Sequence, residues 1–134
     1  MRSVVVAAAG EIAPGQRKIV QVGGRSIGVF NVGGEYFALR NRCPHQGGPL
    51  CEGYQFAPLR SATPGEYDRG PDGEVIRCPW HGWEFEIRTG RSWFDPDRTR
   101  VRSYRARRSE QPPPDAERYP ARVEGAYVVV DLDA

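Results

Sequence analysis

The chain has the size and composition of one small globular domain. It has 134 residues, of which 39% are hydrophobic and 27% charged, which is too apolar for a disordered chain and enough for one hydrophobic core. The 19 Lys and Arg against 17 Asp and Glu give a net charge of +2, too small and too mixed in sign to indicate a nucleic-acid-binding protein. The longest apolar run, Val4 to Ala9, is far short of the roughly 20 residues that cross a bilayer, so we expect neither a membrane span nor a signal peptide.

The first third of the chain is predicted to form a β-meander. Three runs of β-branched and aromatic residues, 18–22, 26–32 and 35–39, are separated by the pairs Gly23-Gly24 and Gly33-Gly34. Tight hairpin turns need positive φ angles, which glycine adopts without strain, so each pair predicts a turn between antiparallel strands.

The rest of the chain is predicted to alternate short strands with turns. No segment keeps a helical period over three turns, and the 16 glycines and 12 prolines disfavour long helices, so the sequence predicts an all-β fold. Residues 54–73 are polar and rich in turn residues, and residues 105–118 contain three consecutive prolines and are interpreted as a loop or a short extended insert. The strands predicted here are 74–77, 83–87, 101–104 and 126–132.

Each of the two histidines of the chain stands beside a cysteine. The two arrangements are Cys43-Pro44-His45 and Cys78-Pro79-Trp80-His81, and glycines follow both histidines closely. Proline makes a loop rigid and glycine lets the backbone approach a bulky group, so the pattern indicates two loops around a small cofactor. Three cysteines without an export signal disfavour a disulfide framework and favour metal-binding thiols in a reducing, cytoplasmic setting.

The ligand types narrow the choice of metal. Two thiolates and two imidazoles suit zinc or an iron–sulfur cluster. Zinc fingers usually pair Cys with Cys and His with His, whereas each loop here contributes one of each. The mixed pairing suits a two-iron cluster in which one iron binds both thiolates and the other binds both imidazoles. A zinc-stabilised interaction module remains the alternative.

At these two motifs the sequence resembles the Rieske-type iron–sulfur proteins, and in particular their soluble ferredoxin-like members. The segments Cys-Pro-His-Gln-Gly-Gly-Pro-Leu and Cys-Pro-Trp-His-Gly-Trp-Glu-Phe carry the resemblance, which extends over nearly the whole chain. The resemblance implies a 2Fe-2S cluster with Cys43 and Cys78 on one iron and His45 and His81 on the other. It also implies a single domain over residues 1–134, an antiparallel β-sandwich whose cluster-binding subdomain of two loops covers about residues 41–86.

Two segments depart from the family pattern. Residues 46–77 separate the two motifs, more than the family generally has, and the excess maps onto an insertion at about residues 54–73. Residues 105–118 resemble a second insertion, which makes Tyr104 and Tyr119 rival candidates for one strand position. Neither insertion removes a ligand.

The resemblance implies a one-electron carrier that passes electrons from a reductase to a terminal oxygenase of the ring-hydroxylating kind. The alternatives are a small Rieske subunit of a reductase such as nitrite reductase, a redox sensor, and the zinc module. Both histidines are committed to the cluster and no Ser/His/Asp set is available, so we expect an electron-transfer component rather than a stand-alone catalyst.

Outside the ligands, one cysteine and one basic run stand out. Cys51 has no partner cysteine outside the ligand set and is interpreted as a small buried apolar residue. The aromatic residues Trp80, Trp83 and Phe85 are expected to cover the cluster loops. An arginine-rich run is interpreted as the solvated face of a strand, with a docking patch for an acidic redox partner as the alternative; its members are Arg98, Arg100, Arg102, Arg105, Arg107 and Arg108.

Overall fold

The computed structural model describes residues 3–56, 59–63, 66–69, 74–80, 82–110 and 126–132. Within these ranges the chain forms strands and a single 3₁₀ turn and no α-helix, so the expected all-β fold is confirmed. No helix in the described ranges has the length and apolarity needed to cross a membrane. The elements are β1 (Ser3–Ala8), β2 (Arg17–Val22), β3 (Arg25–Val32), β4 (Glu35–Arg40), the 3₁₀ turn (Leu50–Glu52), β5 (Tyr54–Phe56), β6 (Leu59–Thr63), β7 (Glu66–Arg69), β8 (Val75–Arg77), β9 (Glu84–Glu86), β10 (Ser103–Ser109) and β11 (Tyr127–Asp131).

The strands form three antiparallel sheets. The largest has six strands in the order β1-β11-β10-β4-β3-β2, so its last three strands are the predicted meander. Its two tight turns have positive φ at both glycines, 55° and 80° at Gly23 and Gly24 and 61° and 94° at Gly33 and Gly34, as the sequence predicts. A smaller sheet has the order β5-β8-β9, and β6 and β7 form a separate hairpin.

The alternation of β3 divides the buried side chains into two hydrophobic cores. Ile27 and Val29 pack in a first core with residues of β1 and β11. Phe30 and Val32, which point to the opposite face, pack in a second core with residues of the smaller sheet. The second core contains Cys43, Cys51 and Cys78 beside large aliphatic and aromatic side chains, so the predicted cluster loops are built directly onto it; its other members are Leu39, Leu50, Ile76, Phe85, Ile87 and Val101.

Residues 105–109, interpreted as part of a loop or short extended insert, belong to a strand of the large sheet. β10 continues to Ser109 because residues 105–109 pair with β11, and this pairing outweighs their arginine-rich composition. Residues 111–118 lie outside the described residues. Tyr104 occupies a position in β10 opposite Ala38, whereas Tyr119 lies outside the described residues. The strand predicted at 101–104 therefore begins later, at Ser103, and is longer than expected.

The polar stretch 54–73 contains strands that the sequence analysis did not predict. β5 pairs with β8 in the smaller sheet, with Tyr54 opposite Arg77, and β6 pairs with β7. These strands were not predicted because the stretch lacks the apolar alternation by which a strand is recognised in a sequence. The N-terminal run now assigned to β1 was likewise not predicted as a strand, although its apolar residues pair with β11.

Candidate metal centre

The two loops that carry the cysteine and histidine motifs share one backbone hydrogen-bond pattern. In the first loop (Cys43–Gly48) the Cys43 N–H donates to the carbonyl oxygen of Gly48, five residues on, at 2.8 Å. In the second loop (Cys78–Trp83) the Cys78 N–H donates to the carbonyl oxygen of Trp83, also five residues on, at 2.7 Å. Each cysteine is therefore fixed at its backbone by the closure of its own loop.

A glycine four residues after each cysteine completes the same pattern. The N–H of Gly47 donates to the Cys43 carbonyl at 2.7 Å, and the N–H of Gly82 donates to the Cys78 carbonyl at 3.0 Å. The φ angles of these two glycines are +78° and +73°, in the left-handed region that favours glycine. The structure thus explains why glycines follow both histidines in the sequence: both loops turn at the same position relative to the cysteine.

The loops bring the two cysteines together in the second core. Cys43 and Cys78 are each only 2% exposed, and their thiols are close enough to interact. Burial raises the pKa of the Cys43 thiol, and the adjacent Cys78 thiol adds to this, while the backbone amides of His45 and Gln46 act in the opposite direction. Two buried thiols side by side are suited to a metal ion, whose positive charge stabilises both thiolates.

His45 lies on the outer side of the first loop. Its side chain is exposed, and its ring is stacked on the indole of Trp83 with centroids 4.4 Å apart and planes inclined by 16°. Because Trp83 closes the second loop, this stack joins the two loops at the surface. His81, the fourth predicted ligand, lies outside the described residues.

The two loops also touch through Gly48. A β-carbon built on Gly48 would lie 2.8 Å from the indole of Trp80 and 3.1 Å from the sulfur of Cys78, so only a glycine allows this approach. Trp80 covers the first loop at this point and is itself 57% exposed, whereas Phe85 is fully buried below the loops. The expectation that these aromatic residues cover the loops is confirmed for Trp80 and Trp83, and Phe85 belongs to the core.

The described residues offer the ligand types of a two-iron cluster. Cys43 and Cys78 provide two buried thiols, and His45 provides an exposed imidazole. A two-iron cluster with mixed ligands takes thiolates on one iron and imidazoles on the other, so these three residues fit such a group.

Cys51 is a structural residue, as the sequence analysis predicts. It is fully buried, and burial raises the pKa of its thiol to about 12, so it stays protonated at neutral pH. Its N–H donates to the Oδ1 of Asn41 at 2.7 Å, and the Asn41 side chain also donates to Ser26 of β3 at 3.1 Å. Asn41 thereby connects the start of the first loop, the 3₁₀ turn and the large sheet, a role that the sequence analysis missed.

Gly28 is a second supporting residue that the sequence analysis missed. A β-carbon on Gly28 would lie 2.5 Å from both the Cβ and the Sγ of Cys51. The available signal was a glycine in the middle of a strand, which often marks the close approach of another segment.

Comparisons with known proteins show which family the chain is similar to. The Rieske [2Fe-2S] domain family matches residues 2–105. The biphenyl dioxygenase ferredoxin subunit of Pseudomonas sp. (strain KKS102) is 31% identical over 124 residues, which cover 91% of this chain and 84% of the relative. The 3-phenylpropionate/cinnamic acid dioxygenase ferredoxin subunit of Shigella boydii serotype 4 (strain Sb227) is 27% identical over 106 residues, covering 79% and 72% of the two chains.

A solved structure supports the fold. The ferredoxin of carbazole 1,9a-dioxygenase from Nocardioides aromaticivorans IC177 superposes with a TM-score of 0.63 at 24% identity, covering 97% of both chains. The family match spans both cysteine–histidine loops, and the cofactor of this family is a Rieske-type 2Fe-2S cluster, not zinc. The chain belongs to the Rieske [2Fe-2S] domain family.

Proposed function

We propose that this protein is a one-electron carrier, a ferredoxin component that takes electrons from a reductase and passes them to a terminal oxygenase. The observation that carries the proposal is the pair of matching loops, which hold two thiols in the core and an imidazole at the surface. The likeness to ferredoxin subunits of dioxygenases over 91% of the chain supports the oxygenase as the acceptor. When bound, a Rieske cluster accepts and releases a single electron.

The proposal assigns four ligands. Cys43 and Cys78 would hold one iron through their thiolates, and His45 and His81 would hold the other through their imidazoles. The equivalent positions of the two cysteines in their loops support the thiolate assignment. The exposed ring of His45 supports the imidazole assignment. His81, outside the described residues, is assigned by its place in the second motif.

The residues of the two loops provide a rigid site with an open side. The amides of His45 and Gln46 point at the Cys43 sulfur, where they stabilise negative charge on a thiolate. The closed loops fix these donors before an electron arrives, so little reorganisation is needed on reduction. The exposed edge of His45 would give a protein partner an approach to the metal centre, and the stacking of His45 on Trp83 fixes the orientation of the ring.

The protein is an electron-transfer component and not a stand-alone catalyst, because both histidines are assigned to the cluster. A cytoplasmic location is supported by three free cysteines, which a reducing compartment keeps as thiols.

The test is transfer of electrons to an oxygenase. Purified protein with about two irons and two sulfides per chain is reduced anaerobically and mixed with terminal oxygenases of aromatic-ring dioxygenases, the biphenyl enzyme among them. We expect reoxidation of the reduced cluster and substrate hydroxylation by at least one of them, and neither with the Cys43→Ser protein. A fully loaded protein that reduces no oxygenase, and that purifies from its native host bound to a large reductase chain, would contradict the proposal.

A further inference from the structure

An arginine-lined pocket lies beside the first cluster loop. It is open to solvent, has a volume of about 430 Å³ and is lined by Arg40, Arg42, Arg100 and Arg102. His45 lines the same pocket, and none of its lining residues is acidic. We call this site the arginine pocket.

Two backbone contacts hold these arginines in place. The N–H of Arg40, at the end of β4, donates to the carbonyl of Arg102 at 2.9 Å, so these two residues lie side by side. Val101 is only 3% exposed and its N–H donates to Gly90 at 2.8 Å, so its neighbours Arg100 and Arg102 turn outward.

Arg42 reaches the pocket from the position just before the first cluster loop. Its Nε is 3.4 Å from the point where a β-carbon on Gly47 would lie, so the side chain runs along the turn that carries His45. Arg102 is anchored at the other side, with its guanidinium 5.2 Å from the ring centroid of Tyr104 and its Nη2 3.5 Å from the carbonyl of Leu132.

These four arginines have no acidic partner in the part of the chain that the structure describes: no Asp or Glu side chain there forms an ion pair with any of them. Three other arginines of the same sequence run do have partners: Arg105 and Arg107 lie 4.0 Å and 3.2 Å from Asp131, and Arg108 lies 3.7 Å from Glu110. The structure thus separates these three paired arginines from Arg100 and Arg102, which line the pocket beside the first cluster loop.

Unpaired like charges on neighbouring strands cost folding free energy. Proteins keep such destabilising groups mainly where function requires them, so unpaired arginines beside the proposed metal centre indicate a functional role. Guanidinium groups bind carboxylates through two parallel hydrogen bonds, and four of them around one opening match a group of Asp and Glu side chains. The rest of the chain is nearly balanced in charge, so the positive field is a local one.

We propose that the arginine pocket docks an acidic surface of the terminal oxygenase, with carboxylates of the oxygenase entering the pocket that the four arginines line. The inference rests on the proposed function, since the docked protein is the one that exchanges an electron at the His45 edge. A protein is favoured as the occupant because the pocket and the exposed imidazole share one opening, so docking there brings the partner's own metal centre close to His45. The positive field also attracts the acidic partner before contact, which raises the association rate.

The test compares Arg42→Gln, Arg100→Gln and the double variant with Arg108→Gln. Arg108 is a matched control because it is an exposed arginine at the opposite end of β10 from the pocket. The measurement is the second-order rate constant for reoxidation of the reduced protein by a responding terminal oxygenase, over a range of ionic strength. The visible spectrum and midpoint potential of each variant are recorded to confirm an intact cluster.

At low ionic strength we expect the rate to fall about threefold for each single variant and about tenfold for the double variant. The salt dependence should flatten in the double variant, since the Debye length shrinks from roughly 30 Å at 0.01 M to about 3 Å at 1 M and screens only the charges that remain. The Arg108→Gln protein should stay within about twofold of wild type and keep its salt dependence. A double variant with wild-type rate and salt slope would overturn the docking role while leaving the proposed function intact.

A second measurement separates a protein surface from a small anion. Poly-L-glutamate should slow the wild-type reaction and leave the double variant unaffected. Free glutamate at the same ionic strength should slow neither protein. Equal inhibition by free glutamate would assign the pocket to a small anion and overturn the docking proposal. A wild-type protein that carries its cluster and passes electrons to no oxygenase would contradict the proposed function, and the docking role with it.

Discussion

Gly53 links the first cluster loop to the second, and replacing it with alanine should disrupt both. Gly53 follows the 3₁₀ turn and donates its N–H to Leu50 at 3.1 Å. A β-carbon at this position would lie 1.8 Å from the carbonyl oxygen of Arg77 and 3.0 Å from the Cδ of Pro79. These two residues flank Cys78, so the overlap falls on the backbone that positions a proposed iron ligand.

The size of the overlap sets the expected cost. Carbon and oxygen atoms in contact are normally about 3.3 Å apart or more, so the backbone at Arg77 has to move by roughly 1.5 Å. Such a shift breaks the pairing of Tyr54 with Arg77 that joins β5 to β8. Overpacking costs 1–3 kcal/mol and occasionally more, and a backbone obstacle cannot rotate away, so we expect about 3 kcal/mol for Gly53→Ala. For a chain of this length, that corresponds to a fall in Tm of roughly 10 °C.

The assay is thermal unfolding of the holoprotein, followed by circular dichroism and by the visible absorbance of the cluster. Gly10→Ala is the matched control, because its φ is not positive and a β-carbon there would meet nothing within 4 Å. We expect Gly10→Ala to keep the wild-type Tm and cluster content. Gly53→Ala should have a lower Tm and a lower cluster content than wild type. A Gly53→Ala protein with an unchanged Tm and a full cluster would refute the claim that this contact is a rigid one.

Three further outcomes follow from the site and its surroundings. Cys43→Ser should remove the visible absorbance of the cluster, while Cys51→Ser should keep it because Cys51 is a buried structural residue; equal loss in both would contradict the ligand assignment. The midpoint potential should lie in the lower part of the roughly −150 to +300 mV range and below about +100 mV, because Phe85 below the loops has no hydroxyl to donate to a cluster sulfur; a voltammetric value above that limit would contradict this reasoning. Burial raises the pKa of Asp131, but hydrogen bonds from Ser3 and Arg107 outweigh this effect and hold the pKa below its usual value. The stability that the Asp131 carboxylate contributes is therefore present above about pH 4 and is lost as the pH falls through the pKa of the folded state. The Tm of Asp131→Asn should therefore change less between pH 6 and pH 3 than that of wild type, and an identical pH profile would rule out this ion pair as the cause.

The sequence by itself determined the features that depend on local backbone and ligand chemistry. The Gly-Gly pairs predicted the tight turns of the meander because a primed turn needs positive φ at both positions, whatever surrounds it. The motifs at Cys43 and Cys78 predicted a two-iron centre because ligand type and spacing are properties of a few adjacent residues. The glycine four residues after each cysteine is also a local feature of the sequence, because it allows each loop to close on its own cysteine.

Only the tertiary structure decided how distant segments meet around the site. The arginine-rich run is uniform as a sequence, but the strand order places Arg107 beside Asp131 and brings Arg102 next to Arg40 at the cluster loop. The approach of Gly28 to Cys51 likewise depends on how the 3₁₀ turn packs on β3. Such contacts come from strand pairing and core packing between residues far apart in the chain, and their free energies depend on register and shape, which no local pattern in the sequence encodes.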